Sequence, residues 1–361
     1  MESSSSSGAL PVASGGAVNE TEVDVDAYMQ VLRERALIGT ATVPASEARK
    51  ERERRGAAVE QFDVTLITQC SEDRASFLLA IVDRWAGPVS AAMWVTSDDG
   101  EENVTQAMRA QLEGRERVVL VHFLRGEPGE PYPVNRLRNI ALEAVTTSHF
   151  LVTDVDLWPS RTLYGLILNL PTSYLSSASY AMVVPAFEIS SSVHKTLGVG
   201  SVPDSFDGLR VCSEMAICDV FKHATDTHTS TWYKRWWQQA EADGAYKVPC
   251  LDSIRYEPYL LVPKADQTPL FDERFVGYGK NKIQFVQHLR LLGFQFFVLP
   301  RGFVIHVPHT YSKSRHAWSS ANRAKKNQLF MSFMREKMQG AVIRVPLCMR
   351  AFVEMSQDEY S

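Results

Sequence analysis

Between Phe62 and Asp156 the apolar residues of this chain follow two alternating periods. Short, nearly continuous apolar runs occur in FDVTLIT (62–68), PVSAAMWVT (88–96), RVVLVHFL (117–124) and HFLVTDVD (149–156), which predict strands. Between them, apolar positions recur every three or four residues in EDRASFLLAIVDRW (72–85), ENVTQAMRAQLEG (102–114) and PVNRLRNIALEAVTTS (133–148), which predict helices. In the last of these, Leu137, Ile140, Ala141, Ala144 and Val145 form one stripe, and Asn135, Arg138 and Asn139 share the opposite edge. Alternation of this kind indicates an α/β fold around a central sheet.

The second half is less regular. YAMVVPAFEIS (180–190), SIRYEPYLLVPK (253–264), FQFFVLP (294–300) and GFVIHVPH (302–309) predict strands, and TWYKRWWQQA (231–240) an aromatic-rich helix or turn. DERFVGYGKNKIQFVQHLRLLG (272–293) predicts a loop feeding a helix, and the basic stretch SKSRHAWSSANRAKK after Pro308 a solvated face. The expected organisation is a Ser/Gly/Ala-rich disordered tail over 1–45, a charged linker or helix over 46–60, one domain over 61–345 and a C-terminal tail over 346–361. No internal repeat is visible.

Composition narrows the class. A chain of 361 residues, 45% of them hydrophobic, can bury a large core, and a formal net charge of -4 provides no electrostatic case for a nucleic-acid or membrane-surface partner. The N-terminus has neither a basic n-region nor a long apolar h-region, and no apolar run is long enough to span a bilayer, so the sequence as it stands reads as soluble. The cysteines Cys70, Cys212, Cys218, Cys250 and Cys348 show no zinc spacing. Cys212 and Cys218 are close enough to pair, but isolated buried thiols are the expectation, and the odd count leaves at least one unpaired. Asn19 and Asn103 open N-x-[ST] triplets that matter only in a secretory compartment. Nothing sets the oligomeric state.

The chemistry concentrates at the end of one strand. In SHFLVTDVDLWPS, Asp154 and Asp156 close an apolar run, and strand alternation would turn both carboxylates toward one spot. Two anions held together ask for a cation between them. Strand ends at the carboxyl edge of an open α/β sheet are where ligands bind. A phosphatase of the haloacid dehalogenase type would want a small or branched residue where Trp158 stands, and its motif near the first strand, so that alternative weakens. No glycine-rich phosphate loop opens a helix, which leaves a cation to manage any diphosphate. On the predicted strand GFVIHVPH, Val304, His306 and Pro308 share a face. An imidazole beside carboxylates suits manganese better than magnesium, so His306 is a candidate ligand and His309 the reserve.

In order along the chain, VTLITQCSEDR, YPVNRLRNIAL, FLVTDVDLWP, VVPAFE, YEPYLLV, DERFVGYGKNK and FVIHVPH resemble glycosyltransferase family 49, the family of the dystroglycan β-1,4-glucuronyltransferase and of the C-terminal LARGE domain. The resemblance spans about residues 62–309. It implies a GT-A fold with a central mixed, mostly parallel sheet, and inverting, metal-dependent transfer of glucuronate from UDP-glucuronate to a terminal sugar, such as xylose, of a glycan or glycoprotein acceptor. Another UDP-sugar as donor, or a catalytically silent glycan-binding relative, are the alternatives. It further implies that Asp154, Asp156 and His306 hold Mn2+, and that Thr68, Gln69, Asn135, Arg138, Asn139 and Asp154 contact the nucleotide or donor sugar. Asp272 or Glu273, with Glu188 as the alternative, would be the catalytic base. Trp232, Trp236 and Trp237 would stack on acceptor sugars. Lys280, where the family usually has an aromatic, would pair with a sugar carboxylate if it faces the cleft. The implied compartment is the Golgi or another secretory lumen, although the anchor usual in the family is not visible.

Overall fold

The computed structural model describes residues 25–34, 62–113, 119–127, 129–239, 244–310 and 320–349. The apolar runs form one half of an eight-stranded sheet. These comprise β1 (Val64–Ser71), β2 (Val89–Val95), β3 (Val119–Arg125) and β4 (His149–Val152), all mutually parallel, with β2 wholly buried and β1 nearly so. Burial on both faces is why β1, β2 and β4 read as continuous apolar runs and not as alternating ones, whereas β3 is only partly buried.

A second sheet of four strands explains the irregular half. The stretch 180–190, expected to be one strand, is broken at Pro185 into β6 (Tyr180–Val184) of the large sheet and β7 (Ala186–Ile189) of the small one. The remaining strands are β5 (Leu157–Pro159), β8 (Cys218–Val220), β9 (Tyr246–Lys247), β10 (Tyr259–Pro263), β11 (Gln295–Val298) and β12 (Val304–His306). The large sheet runs β3-β2-β1-β4-β10-β6-β11-β9 and the small one β5-β12-β7-β8. In the large sheet β10 is antiparallel to β4 and β6, and β9 to β11, so the sheet is mixed and mostly parallel, as expected. The two sheets meet where the chain leaves β4, turns through Asp154–Asp156 and enters β5.

Helices cover the sheet as their stripes require. They include α1 (Val25–Glu34), α2 (Ala75–Arg84), α3 (Gly100–Leu112), α4 (Val134–Glu143), α5 (Asn281–Leu291) and α6 (Ser320–Met338). Helix α4 buries Leu137 and Ala141 against the sheet, and Ser90 Oγ of β2 donates to the Ala141 carbonyl at 2.8 Å.

Three expectations change. Within the stretch expected to be disordered, Val25–Glu34 is helical, and Tyr28 is fully buried with its hydroxyl donating to the Ser201 carbonyl. The basic stretch after Pro308 runs into α6, whose residues beyond it, Phe330, Phe333 and Met334, pack against Phe275 and against Ile283 and Leu291 of α5, while 322–325 within the stretch are exposed as expected. Four of the thiols are disulfides, Cys212–Cys218 and Cys250–Cys348, and only Cys70 stays free and buried. The second disulfide, with the Leu251–Leu347 bridge, joins residues at the start of the expected C-terminal tail to the domain. The stretches 1–24 and 46–60 lie outside the described residues.

Candidate functional site

β4 stops at Val152, and the next residues turn, with the Leu157 N–H donating to the Asp154 carbonyl at 2.9 Å. Strand alternation therefore does not carry through the two aspartates, and each has its own set of partners. Asp154 Oδ1 accepts from Arg138 Nη2 at 2.8 Å, and Oδ2 from Lys282 Nζ at 2.7 Å and the Tyr259 hydroxyl at 3.2 Å. Burial works to raise its carboxyl, but Lys282 and Arg138 outweigh burial and hold it down at about 2.

Asp156 faces two imidazoles. Its Oδ2 lies 2.6 Å from His309 Nε2 and 3.6 Å from His306 Nε2. Burial again opposes ionisation, and the hydrogen bonds from the two histidines overcome it, keeping this carboxyl well below the carboxylate range. One ligand atom each from Asp156, His306 and His309 lies within 4.8 Å of the others. His306 comes from the end of β12, and its ring packs 5.0 Å from Phe221. His309 Nδ1 donates to the Thr310 carbonyl at 2.7 Å. That bond fixes the ring and leaves Nε2 as the atom available to a cation. The bond to Asp156 pushes the His309 imidazole upward.

The remaining expected residues divide into those near this centre and those elsewhere. Arg138 is bound to Asp154. Asn135 donates to the carbonyls of Asp272 and Asn281 and accepts from Arg138, while Asn139 brackets Phe271 and donates to Glu273 at 2.9 Å. Both asparagines thus fasten the 271–281 segment to α4. Gln69 accepts from the Tyr132 hydroxyl, and Thr68 is buried, its Oγ1 without a hydrogen-bond partner.

Asp272 is paired with Arg274, which also reaches Glu336 on α6, and Glu273 is held by Asn139. Glu188 is placed differently. It lies opposite His306 in the β7–β12 register and opposite Asp219 across β8. Burial pushes its carboxyl upward. Lys280 adopts a left-handed φ of 63° and sets its ammonium 4.7 Å over the Phe330 ring, toward α6. The tryptophans are engaged in packing: Trp236 is buried and donates to the Leu299 carbonyl, Trp237 meets Phe187 and Phe206, and Trp232 donates to Asp252.

Sequence reasoning missed Lys282, Tyr259 and Glu257. Lys282 reaches Glu257 at 3.4 Å as well as Asp154. Its signal was its place in the first turn of α5, where the helix dipole disfavours a cation and a specific anionic partner must compensate.

Charged and imidazole groups gather at the carboxyl edge of a mixed α/β sheet, and comparison with known proteins places the chain in a family. Residues 111–340 match the family described as glycosyl-transferase for dystroglycan, and the chain belongs to that family. It is 34% identical over 254 residues to the mouse xylosyl- and glucuronyltransferase LARGE2, covering 69% of this chain and 35% of that protein. It is 32% identical over 261 residues to human LARGE1, covering 71% of this chain and 32% of that protein. The chain thus spans about a third of the length of these relatives. Similar solved structures include S. aureus TarS 1-349 with UDP-GlcNAc, at TM-score 0.48 and 14% identity over 78% of this chain and 68% of that one. Another is GalNAc-T7 with UDP, GalNAc and Mn2+, at TM-score 0.47 and 10% identity over 77% of this chain and 50% of that one.

Proposed function

We propose that the protein transfers glucuronate from UDP-glucuronate to a terminal sugar of a glycan with inversion, using a divalent cation, manganese by preference. The observation that carries the cation is the Asp156, His306 and His309 cluster, whose ligand atoms lie within 4.8 Å of one another. One carboxylate and two imidazoles form a donor set that favours manganese over magnesium. The ligand set expected from sequence changes accordingly: His309 joins it, and Asp154 stands beside it, neutralised by Arg138 and Lys282. A cation at Asp156 would offset the charge that gathers on the departing UDP.

Asp154, held ionised by fixed cations, presents a carboxylate that can accept from donor hydroxyls, and Thr68 and Gln69 lie in the second half of the neighbouring strand β1. Inversion needs a base for the acceptor hydroxyl. Glu188 suits this role better than Asp272 or Glu273, because it shares a face with His306 and burial favours its taking a proton, whereas the other two are committed to Arg274 and Asn139. The family resemblance supports a secretory compartment such as the Golgi, and two disulfides suit an oxidising lumen. Among the described residues no helix is long and apolar enough to cross a membrane.

A screen of UDP-sugars for hydrolysis and transfer, with and without manganese, tests the donor and the cation together. UDP-glucuronate should be used best, and only with the metal. Asp156→Asn should remove the rise in melting temperature that manganese plus UDP produces, with the apo protein still folded. A variant that kept that rise would refute the cation site, and preference for another UDP-sugar would refute the donor.

A further inference from the structure

We propose that Lys222, the second residue after β8, selects the donor: its ammonium takes the carboxylate of the glucuronate. This rests on the transferase reading and deepens it to one specificity-determining residue. Lys280, which the sequence suggested for that contact, sets its ammonium over Phe330 of α6 and leaves the role open.

The charges around Asp154 do not balance. Arg138, Lys282 and Lys222 are three cations against the two carboxylates of Asp154 and Glu257. Arg138 and Lys282 bond Asp154 at 2.8 and 2.7 Å, and Lys282 also reaches Glu257 at 3.4 Å, so these two cations already match both carboxylates. Asp156 is matched separately by its imidazoles. Lys222 is the surplus. Its Nζ stands 3.7 Å from Glu257, beyond hydrogen-bonding distance, and among the described residues the ammonium donates no hydrogen bond. The Lys222 side chain is 33% exposed, against 2% for Arg138 and 7% for Lys282, so it is the one of the three that a ligand can reach. Burial works against its charge, but Glu257, Tyr278 and the two aspartates outweigh burial and keep it an ammonium. A reachable cation with unfilled donors beside an already neutral network is suited to an incoming anion.

The backbone fixes where that ammonium sits. Lys222 has a φ of 51°, in the left-handed region that residues with a side chain seldom adopt. Its carbonyl accepts from the Thr225 N–H and from Thr225 Oγ1, each at 2.9 Å, which closes the turn and holds the conformation. The ring of Phe221 lies 5.0 Å from the Lys222 ammonium and 5.0 Å from the His306 ring. The Lys222 N–H bonds the Glu188 carboxylate, against the upward push that burial gives that group. Lys222 therefore adjoins both the candidate base and a candidate cation ligand. The reacting sugar of an in-line transfer has to lie between those two groups.

The choice of anion follows from what is already matched. The diphosphate has the cation at Asp156, His306 and His309, so the anion left for Lys222 is the carboxylate that distinguishes glucuronate from glucose. An ammonium provides a point charge with three donors, which a carboxylate can accept. The hydroxymethyl group of glucose would leave that charge unmatched.

The test uses two uncharged variants and three ligands. Lys222→Met keeps the apolar stem, and Lys222→Gln keeps a polar tip. Binding of UDP-glucuronate, UDP-glucose and UDP is followed by calorimetry in the presence of manganese. The wild-type protein should bind UDP-glucuronate at least about tenfold more tightly than UDP-glucose, the worth of one hydrogen bond between charged groups. Both variants should bring the two sugars within about twofold of each other by weakening UDP-glucuronate, while UDP-glucose and UDP stay within about twofold of the wild type. If methionine unfolds the turn, Lys222→Gln alone decides. The inference is overturned if the preference survives in the uncharged variants. It is also overturned if all three ligands weaken together, which would assign the ammonium to the diphosphate or to the scaffold. A wild-type protein that binds UDP-glucose as tightly as UDP-glucuronate would overturn the glucuronate reading itself, and this role with it.

Discussion

Asp154 and Asp156 are two residues apart, yet fixed cations hold one and imidazoles hold the other. Removing one fixed cation exposes the cost of the arrangement. Lys282→Met should destabilise the protein by about 3 kcal/mol, because it leaves the half-buried Asp154 carboxylate with Arg138 as its one bonded cation. Urea unfolding should show a lower midpoint at unchanged slope, and Asp154→Asn in the same chain should restore part of the loss. The pH dependence has two limbs of opposite sign. Asp154 is depressed to about 2, so its contribution is present above its unfolded value of about 4 and is lost as pH falls from there through about 2. His309 is raised, so the stability it contributes to the metal-free protein is complete below its unfolded value of about 6.5 and fades as pH rises through the folded value. Manganese must displace the Nε2 proton, so its affinity should rise between about pH 6 and about pH 8, measured by calorimetric titration. At this scale the sequence revealed the aspartates, Arg138 and both histidines, since strand-end position and residue chemistry are local properties. It pointed to Lys280 where Lys282 acts, because which lysine turns inward depends on the left-handed backbone at 280, and no local pattern encodes that.

The elements that were legible are those whose burial is uniform or periodic. β1, β2, α2 and α4 carry their own signals, because each meets a complete layer of neighbours. Strand β6–β7 was not legible as two elements: Pro185 lacks the N–H a ladder needs, but whether the chain then stays in one sheet or crosses to another is a tertiary choice. Helix α6 was hidden by its basic outer face, and its buried apolar contacts come chiefly from Phe330, Phe333 and Met334. Helix α1 was hidden by the polar composition around it. Its anchor is Tyr28, fully buried and bonded to Ser201. Tyr28→Ala should therefore cost about 3 kcal/mol, read from denaturant midpoints, and deletion of residues 1–45 should carry the same loss. An unchanged midpoint would show that α1 docks without contributing.

Over the whole molecule, the Cys250–Cys348 disulfide closes a long segment, the two cysteines being 98 residues apart in sequence. Cys348→Ser should lower stability by about 2–4 kcal/mol, chiefly through the freedom it returns to the unfolded chain, and the melting temperature should fall further in dithiothreitol for the parent than for this variant, which keeps only Cys212–Cys218. The pairing of this disulfide could not be foreseen, since cysteines so far apart become neighbours only once Leu251 meets Leu347. The same segment contains Tyr259, Lys282, His306 and His309, whereas Arg138, Asp154 and Asp156 precede it. His309 reaches Asp156 across 153 residues of sequence, and Lys282 reaches Asp154 across 128. Contacts between partners this distant close late in folding. An intermediate with only its first four strands paired would hold the two aspartates and neither histidine, and so would bind manganese and nucleotide feebly. In the proposed site, high affinity for that pair of ligands would belong only to chains whose last third has docked, which would make ligand capture a measure of finished folding and give completed molecules a head start over partly folded ones wherever the ligands are abundant.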